Sequence, residues 1–211
     1  VAINPSNIEF GCDKENGFKV IPDYRFKLIH EVKTQSQQKE YINSLSNYFK
    51  FNPYYSWFNN FEKLLQKLNS SYYGNNYPKN CTPIENWKKR DNRVLHTDIC
   101  SPVATENKWS ELSNDNRKAL SENGKTIWKD LIKFLEPDLI IISGGKYMTE
   151  KINEKALWKG IELPEDFNKT HKMMTTTYEG ITTFWISGKN TPISMQDKQL
   201  DQTADLIKKN K

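Results

Sequence analysis

An α/β fold with a largely parallel sheet, covered on both faces, is predicted by three features of the 211-residue sequence. Strand-like and helix-like segments alternate along the chain. The clearest strand, Asp138-Leu139-Ile140-Ile141-Ile142, is a continuous apolar run, as expected for a strand buried on both sides. Polar and glycine-rich clusters directly follow the predicted strands, where parallel α/β sheets bind ligands.

Taken in order, Val1-Ala2-Ile3 reads as a first short strand. Asn4-Pro5-Ser6-Asn7 ends it, because proline removes a ladder donor. Residues 11–34 are expected to be irregular, punctuated by Gly11, Gly17 and Pro22. A helical period begins near Gln35 and places Tyr41, Ile42, Leu45, Tyr48 and Phe49 on one face. Pro53 starts a second helix with Trp57, Phe58, Phe61, Leu64, Leu65 and Leu68 inward. Residues 70–80 read as a loop, and residues 93–98 as a buried strand leading into Cys100-Ser101-Pro102. Ser113 suits the cap of a long helix with Leu120, Ile127, Trp128, Leu131, Ile132 and Leu135 inward, stopped by Pro137. After the strand at 138–142 come Ser143-Gly144-Gly145 and a helix to about Trp158. Residues 173–187 read as a hairpin turning at Glu179-Gly180, and a last helix runs from near Ser194, its expected cap, to Lys209. No internal repeat is visible, and residues 1–211 read as a single domain.

Composition narrows the function classes. No aliphatic run exceeds four residues, which is too short for a transmembrane helix. The opening residues lack the basic and apolar regions of a secretory signal, so a cytoplasmic protein is expected. Cys12, Cys81 and Cys100 are too few and too scattered for a disulfide framework, an iron–sulfur cluster or a four-cysteine metal site. His30, His96 and His171 lack metal-ligand spacing, and His96 reads as a core histidine. No metal and no cofactor are therefore expected. A net charge of +5 permits a polyanionic partner without demanding one. GxGxxG and GxxxxGK[ST] patterns are absent, which weighs against a nucleotide-handling Rossmann-like enzyme.

The pairing of Ile3-Asn4-Pro5-Ser6-Asn7 after the first strand with Ser187-Gly188-Lys189-Asn190-Thr191-Pro192-Ile193-Ser194 after the last resembles the uracil-DNA glycosylase superfamily. The intermediate block Leu95-His96-Thr97-Asp98 is similar to the family's base-reading strand. The similarity follows element order over nearly the whole chain, and its motifs are short. It implies a three-layer α/β/α sandwich around a four-stranded, mostly parallel sheet. It also implies a cofactor-free monomeric enzyme that flips a nucleotide out of DNA and hydrolyses its N-glycosidic bond.

The resemblance gives each matching residue a role. Asn4 takes the catalytic position, where its carbonyl oxygen can hold the attacking water; read alone, it can equally cap the turn before Pro5. Lys189 stands where the family has a histidine that donates to O2 of the departing base; an ammonium stabilises that anion, or alternatively binds phosphate. Ser6 replaces a bulky tyrosine and leaves the C5 side of the base open. Asp98 replaces a base-reading asparagine. An ionised carboxylate only accepts hydrogen bonds and so favours an amino group such as N4 of cytosine. A shift of one residue would put Thr97 in that position instead. Phe18, Tyr24 and Phe26 are the candidates for stacking on the base, with Phe18 taken first. Ile193 matches the apolar wedge that fills the vacated stack. Ser143, Gly144, Lys146, Asn190, Thr191 and Ser194 are the candidate phosphate and DNA contacts. Tyr72, Tyr73, Lys79, Lys88, Lys89 and Arg90 form either a DNA-facing patch or a solvated loop. Glu9 and Asp13 are further candidates for activating water.

Two substrate readings follow. Ser6 and Asp98 together suit a C5-modified cytosine such as glucosylated hydroxymethylcytosine of phage DNA, hence antiviral defence. Uracil or another deaminated base implies DNA repair. A non-catalytic DNA-binding module on the same fold is the alternative from another class.

Overall fold

The computed structural model describes residues 12–13, 17–18, 32–46, 48–51, 55–73, 94–100, 109–144, 157–167, 171–187 and 195–211. The predicted strand at 1–3 and most of the predicted helix after Gly145 lie outside them.

A hairpin organises the sheet. β5 (Lys172–Tyr178) and β6 (Ile181–Ser187) pair antiparallel throughout, and Tyr178 faces Ile181 across a two-residue turn. Both turn residues have positive φ, 49° at Glu179 and 82° at Gly180. This handedness matches the twist of the flanking strands, and it is why glycine stands second. β3 (Ile140–Ser143) pairs parallel with β6, and β4 (Lys159–Ile161) pairs antiparallel with β5, giving the order β3-β6-β5-β4.

Among the described strands, then, the sheet is mixed. One pairing is parallel and two are antiparallel, which corrects the expectation of a mostly parallel sheet. A two-residue link can only join antiparallel neighbours, and that constraint outweighs the alternation of strands with helices. Other elements differ from expectation as well. Residues 94–97 carry no regular strand, and Asp98 makes an isolated bridge. Leu157 and Trp158 are not helical but lead into β4. The stretch expected to be irregular contains β1 (Cys12–Asp13) and β2 (Gly17–Phe18), an antiparallel pair with Cys12 opposite Phe18.

The helices form where the apolar period predicts them. α1 (Gln35–Ser46) opens on a reciprocal cap: the Gln37 amide N–H donates to Thr34 Oγ1 at 3.2 Å, and the Lys33 and Thr34 N–H groups donate to Gln37 Oε1 at 3.0 Å. A single turn, α2 (Tyr48–Phe51), precedes α3 (Tyr55–Lys67), which buries Phe58, Phe61 and Leu64. α4 (Asn114–Leu135) follows a short 3₁₀ turn at Trp109–Glu111. The Asn116 N–H donates to Ser113 Oγ at 3.2 Å, as the sequence suggested, and Glu136 closes the helix in the left-handed conformation at φ 44° before Pro137. α5 (Asp197–Asn210) is capped by Gln196 rather than Ser194: the Gln196 N–H donates to Gln199 Oε1 at 3.0 Å.

Side-chain alternation divides the core into two faces. On one, Trp128 and Ile132 of α4 pack with Ile140, Ile142, Tyr178 and Trp185, joined by Ile99 and Cys100. On the other, Leu200, Ala204 and Ile207 of α5 and Leu64 of α3 pack with Met173, Phe184 and Ile186. Helices thus contribute to both clusters, α4 to the first and α3 and α5 to the second. α3 and α5 are also tied by Lys63–Asp197 at 3.4 Å and by a Lys67–Asp201 pair one turn further on. A third cluster, Phe58, Phe61, Tyr72 and Tyr73, packs with Phe49 and Val94 under α3.

The inward face of α4 differs from the predicted one. Ser121, Gly124, Trp128 and Ile132 are buried, whereas Ile127 and Leu135 are exposed and Phe134 is 84% exposed. Ile42 of α1 is exposed too. Gly124 explains the rotation of α4: a Cβ there would lie 2.5 Å from the carbonyl carbon and oxygen of Cys100, so this face sits directly against the backbone of residues 99–100. Among the described residues no helix is long and apolar enough to cross a membrane.

Candidate functional site

The parallel pairing of β3 with β6 sets the geometry. Ile140 faces Thr183 and Ser143 faces Ile186, so the chain leaves both strands at the same edge of the sheet. Ser143 is buried there, and the Trp185 indole N–H donates to the Gly144 carbonyl at 3.0 Å, tying the end of β3 to β6. The two polar segments that begin at Ser143 and Ser187 thus start side by side. Lys146, Lys189, Asn190, Thr191, Ile193 and Ser194 themselves lie outside the described residues, as do Asn4 and Ser6. Phe18 is described only as the residue of β2 opposite Cys12.

Thr97 and Asp98 lie in the segment that α4 grips. The Trp128 indole N–H donates to Thr97 Oγ1 at 3.0 Å, and Ile99 and Cys100 are fully buried next to it. The Thr97 hydroxyl oxygen thus accepts from the helix side, and both Thr97 and Asp98 fall within the described residues. The Asp98 side chain is 12% exposed, and its Oδ1 lies 3.8 Å from Nε2 of His96.

His96 belongs to a polar group set within the aromatic cluster. Its Nδ1 is 3.5 Å from Tyr72 Oη, and Phe58 meets its ring edge-on at 5.0 Å. Burial drives the imidazole pKa down from 6.5 to about 3, so His96 is neutral at physiological pH. Tyr72 stacks on Phe49 with ring centres 4.8 Å apart. Burial first, and then the negative charges of Glu62 and Asp98, push its phenol pKa far above the usual value.

Beneath this group sits Glu62 of α3, with no solvent exposure. Its Oε1 accepts from Ser71 Oγ at 2.5 Å and from Gln66 Nε2 at 3.2 Å, and its Oε2 accepts from the Tyr72 N–H at 2.7 Å. Burial raises its pKa, and these hydrogen bonds oppose the rise without reversing it. Glu62 fastens the chain after α3 so that Tyr72 points toward His96.

This group corrects one expectation and supplies residues that the sequence reading missed. Tyr72 and Tyr73 are core residues, not part of a DNA-facing patch or a solvated loop. Tyr73 donates its hydroxyl to Asn59 Oδ1 at 2.7 Å. The histidine is in the core, as expected, but its neighbours are polar. Glu62 left a trace in the sequence: it falls on the apolar stripe of α3, one turn after Phe58, where a carboxylate is out of place unless something satisfies it. Among the described residues no three His, Cys, Asp or Glu side chains gather as a metal site. No family model, curated protein or solved structure matches this chain.

Proposed function

We propose that this chain is a DNA base glycosylase of uracil-DNA glycosylase type, a monomeric cytoplasmic enzyme built as a three-layer sandwich. It flips out a C5-modified cytosine and hydrolyses the N-glycosidic bond, in defence against phages with modified DNA. The observation that carries the reading is the parallel, in-register β3–β6 pair, which starts the Ser143-Gly144-Gly145-Lys146 and Ser187–Ser194 segments at one edge of the sheet. A site that must hold a flipped base and its flanking phosphates needs loops converging there.

In this reading the C1′–N1 bond breaks and its electron pair leaves with the base. Water held by the Asn4 carbonyl oxygen adds its hydroxyl to C1′, and the remaining proton passes to the base. The Lys189 ammonium stabilises the negative charge developing at O2. Asp98 accepts from the N4 amino group, and Ser6 leaves room for the C5 substituent. Ser143, Gly144, Lys146, Asn190, Thr191 and Ser194 hold phosphates, and Ile193 fills the gap in the stack.

The test is incubation of the protein with duplexes carrying uracil, 5-hydroxymethylcytosine or its glucosylated form, followed by alkaline cleavage at abasic sites. Cleavage of the modified-cytosine duplexes, lost in Asn4→Ala and Lys189→Ala, is expected. Release of uracil alone replaces the substrate assignment with a repair role. Salt-sensitive binding without any abasic product replaces catalysis with a DNA-binding module.

A further inference from the structure

Lys172, the first residue of β5, lies directly opposite Ser187, the last residue of β6. Residues opposed across an antiparallel pair point to the same face, with Cβ atoms about 5 Å apart. Alternation along the strands identifies that face. Met174, Tyr178 and Trp185 pack in the cluster that α4 covers, whereas Met173, Phe184 and Ile186 pack in the other. Lys172 and Ser187 therefore point to the α4 side, where Ile99 and Cys100, the residues after Asp98, also pack. Their level along the strands is equally defined. Ile186 faces both Ser143 of β3 and Met173 of β5, so one step further on Ser187 and Lys172 stand level with Gly144, at the edge where β3 and β6 release the chain. Trp185, on the same face, reaches this edge as well, since its indole N–H donates to the Gly144 carbonyl. Lys172 is exposed and Ser187 is half-buried, so an ammonium meets solvent beside a hydroxyl. Lys63, Lys67, Lys198 and Lys208 each pair with an aspartate. Among the described residues Lys172 has no such partner, not even Glu162, which follows the Ile161–Met173 pair on the neighbouring strand.

We propose that Lys172 and Ser187 together grip one backbone phosphate of DNA at this edge of the sheet, Lys172 through its charge and Ser187 by donating its hydroxyl to the same phosphate. An ammonium and a hydroxyl side by side offer donors to two oxygens of one phosphate. The assignment to DNA rests on the glycosylase reading; the juxtaposition of the two side chains does not. A phosphate held here fixes the register of the strand and carries no base preference.

Binding of an unmodified duplex by the full chain, measured over a series of salt concentrations, tests the pair. Each lysine that neutralises a phosphate adds about one to the slope of log affinity against log salt. Lys172→Gln should therefore flatten the slope by about one and weaken binding about tenfold, equally for unmodified and 5-hydroxymethylcytosine duplexes. Lys172→Arg should keep the slope. Ser187→Ala should weaken binding with the slope unchanged, because a hydroxyl releases no counterion. The double variant should lose less than the product of the two single losses, because both side chains act on one phosphate. Lys208→Ala, near the far end of α5, is the control and should leave the slope as it is. A slope that Lys172→Gln leaves unchanged, or that Lys208→Ala flattens equally, overturns Lys172 as a contact. Losses that simply multiply overturn the shared phosphate. A wild type that shows the expected pattern but makes no abasic site leaves the pair in place and removes the glycosylase chemistry. A wild type that does not bind duplex, whether or not inorganic phosphate raises its thermal midpoint, overturns the DNA assignment together with the glycosylase reading.

Discussion

At the scale of single residues, two buried titratable groups pull stability in opposite directions with pH. Burial raises the folded pKa of Glu62 above its ordinary 4.5. The native state therefore binds that proton more tightly than the unfolded chain does, and stability falls as pH rises through the folded pKa. Glu62→Gln removes this slope. It also turns an amide N–H toward the donors of Ser71, Tyr72 and Gln66, at a cost of about 1–3 kcal/mol. Urea titrations should show the variant less stable than wild type at about pH 4 and the gap narrowing toward about pH 7; parallel curves would refute the linkage. His96 works the other way. Its folded pKa of about 3 lies below the unfolded 6.5, so the stability it contributes is complete above pH 6.5 and is lost as pH falls toward 3. His96→Leu should lose less stability than wild type between those limits, and an equal loss in both proteins would place the acid sensitivity elsewhere.

At the scale of elements, the β5–β6 turn and the seat of α4 are the most exacting. Glu179 holds a left-handed conformation that costs a non-glycine residue roughly 1–2 kcal/mol and that asparagine tolerates better. Glu179→Asn should therefore raise the thermal midpoint, with a gain of about 0.5–1 kcal/mol. A lower midpoint would show that the carboxylate has a role of its own. Gly124→Ala should do the reverse. The usual helix gain of about 1 kcal/mol is outweighed by a methyl group pressed on the Cys100 carbonyl, for a net loss of about 1–2 kcal/mol. The sequence revealed these elements unevenly. The hairpin, the Ser113 cap and the start of α1 were legible because each has local chemistry: a Gly-containing turn, a capping hydroxyl, a first apolar repeat. The face that α4 buries was not legible, because Gly124 and Ser121 are chosen by the backbone they touch and carry no apolar signal. β4 was hidden for a similar reason. Three residues with glycine in the middle form a strand only because β5 offers them an edge.

At the scale of the whole molecule, the class of fold followed from the apolar runs, and the direction of the strands did not. Continuous burial reports that both faces are covered, which is equally true of β3 beside its parallel neighbour and of β6 between a parallel and an antiparallel one. The candidate site was legible in part. Asp98 and Ser143 were marked by the ends of predicted strands, whereas Tyr72, His96 and Glu62 meet only through tertiary packing. Native-state hydrogen exchange should reflect this hierarchy. Amides of β6, paired on both sides, should be among the slowest to exchange, and those of the two-residue β1–β2 pair among the fastest. Fast exchange along β6 would mean that the sheet is not the last structure to open.

The close seat of Gly124 has a lineage-level corollary. Because the α4 helix rests on bare carbonyl groups only two positions beyond Asp98, any descendant that acquires a side chain at 124 must displace residues 99–100 and re-aim that acid at the same time. Position 124 is therefore a place where a single small substitution acts on the segment that carries Asp98 by way of the scaffold.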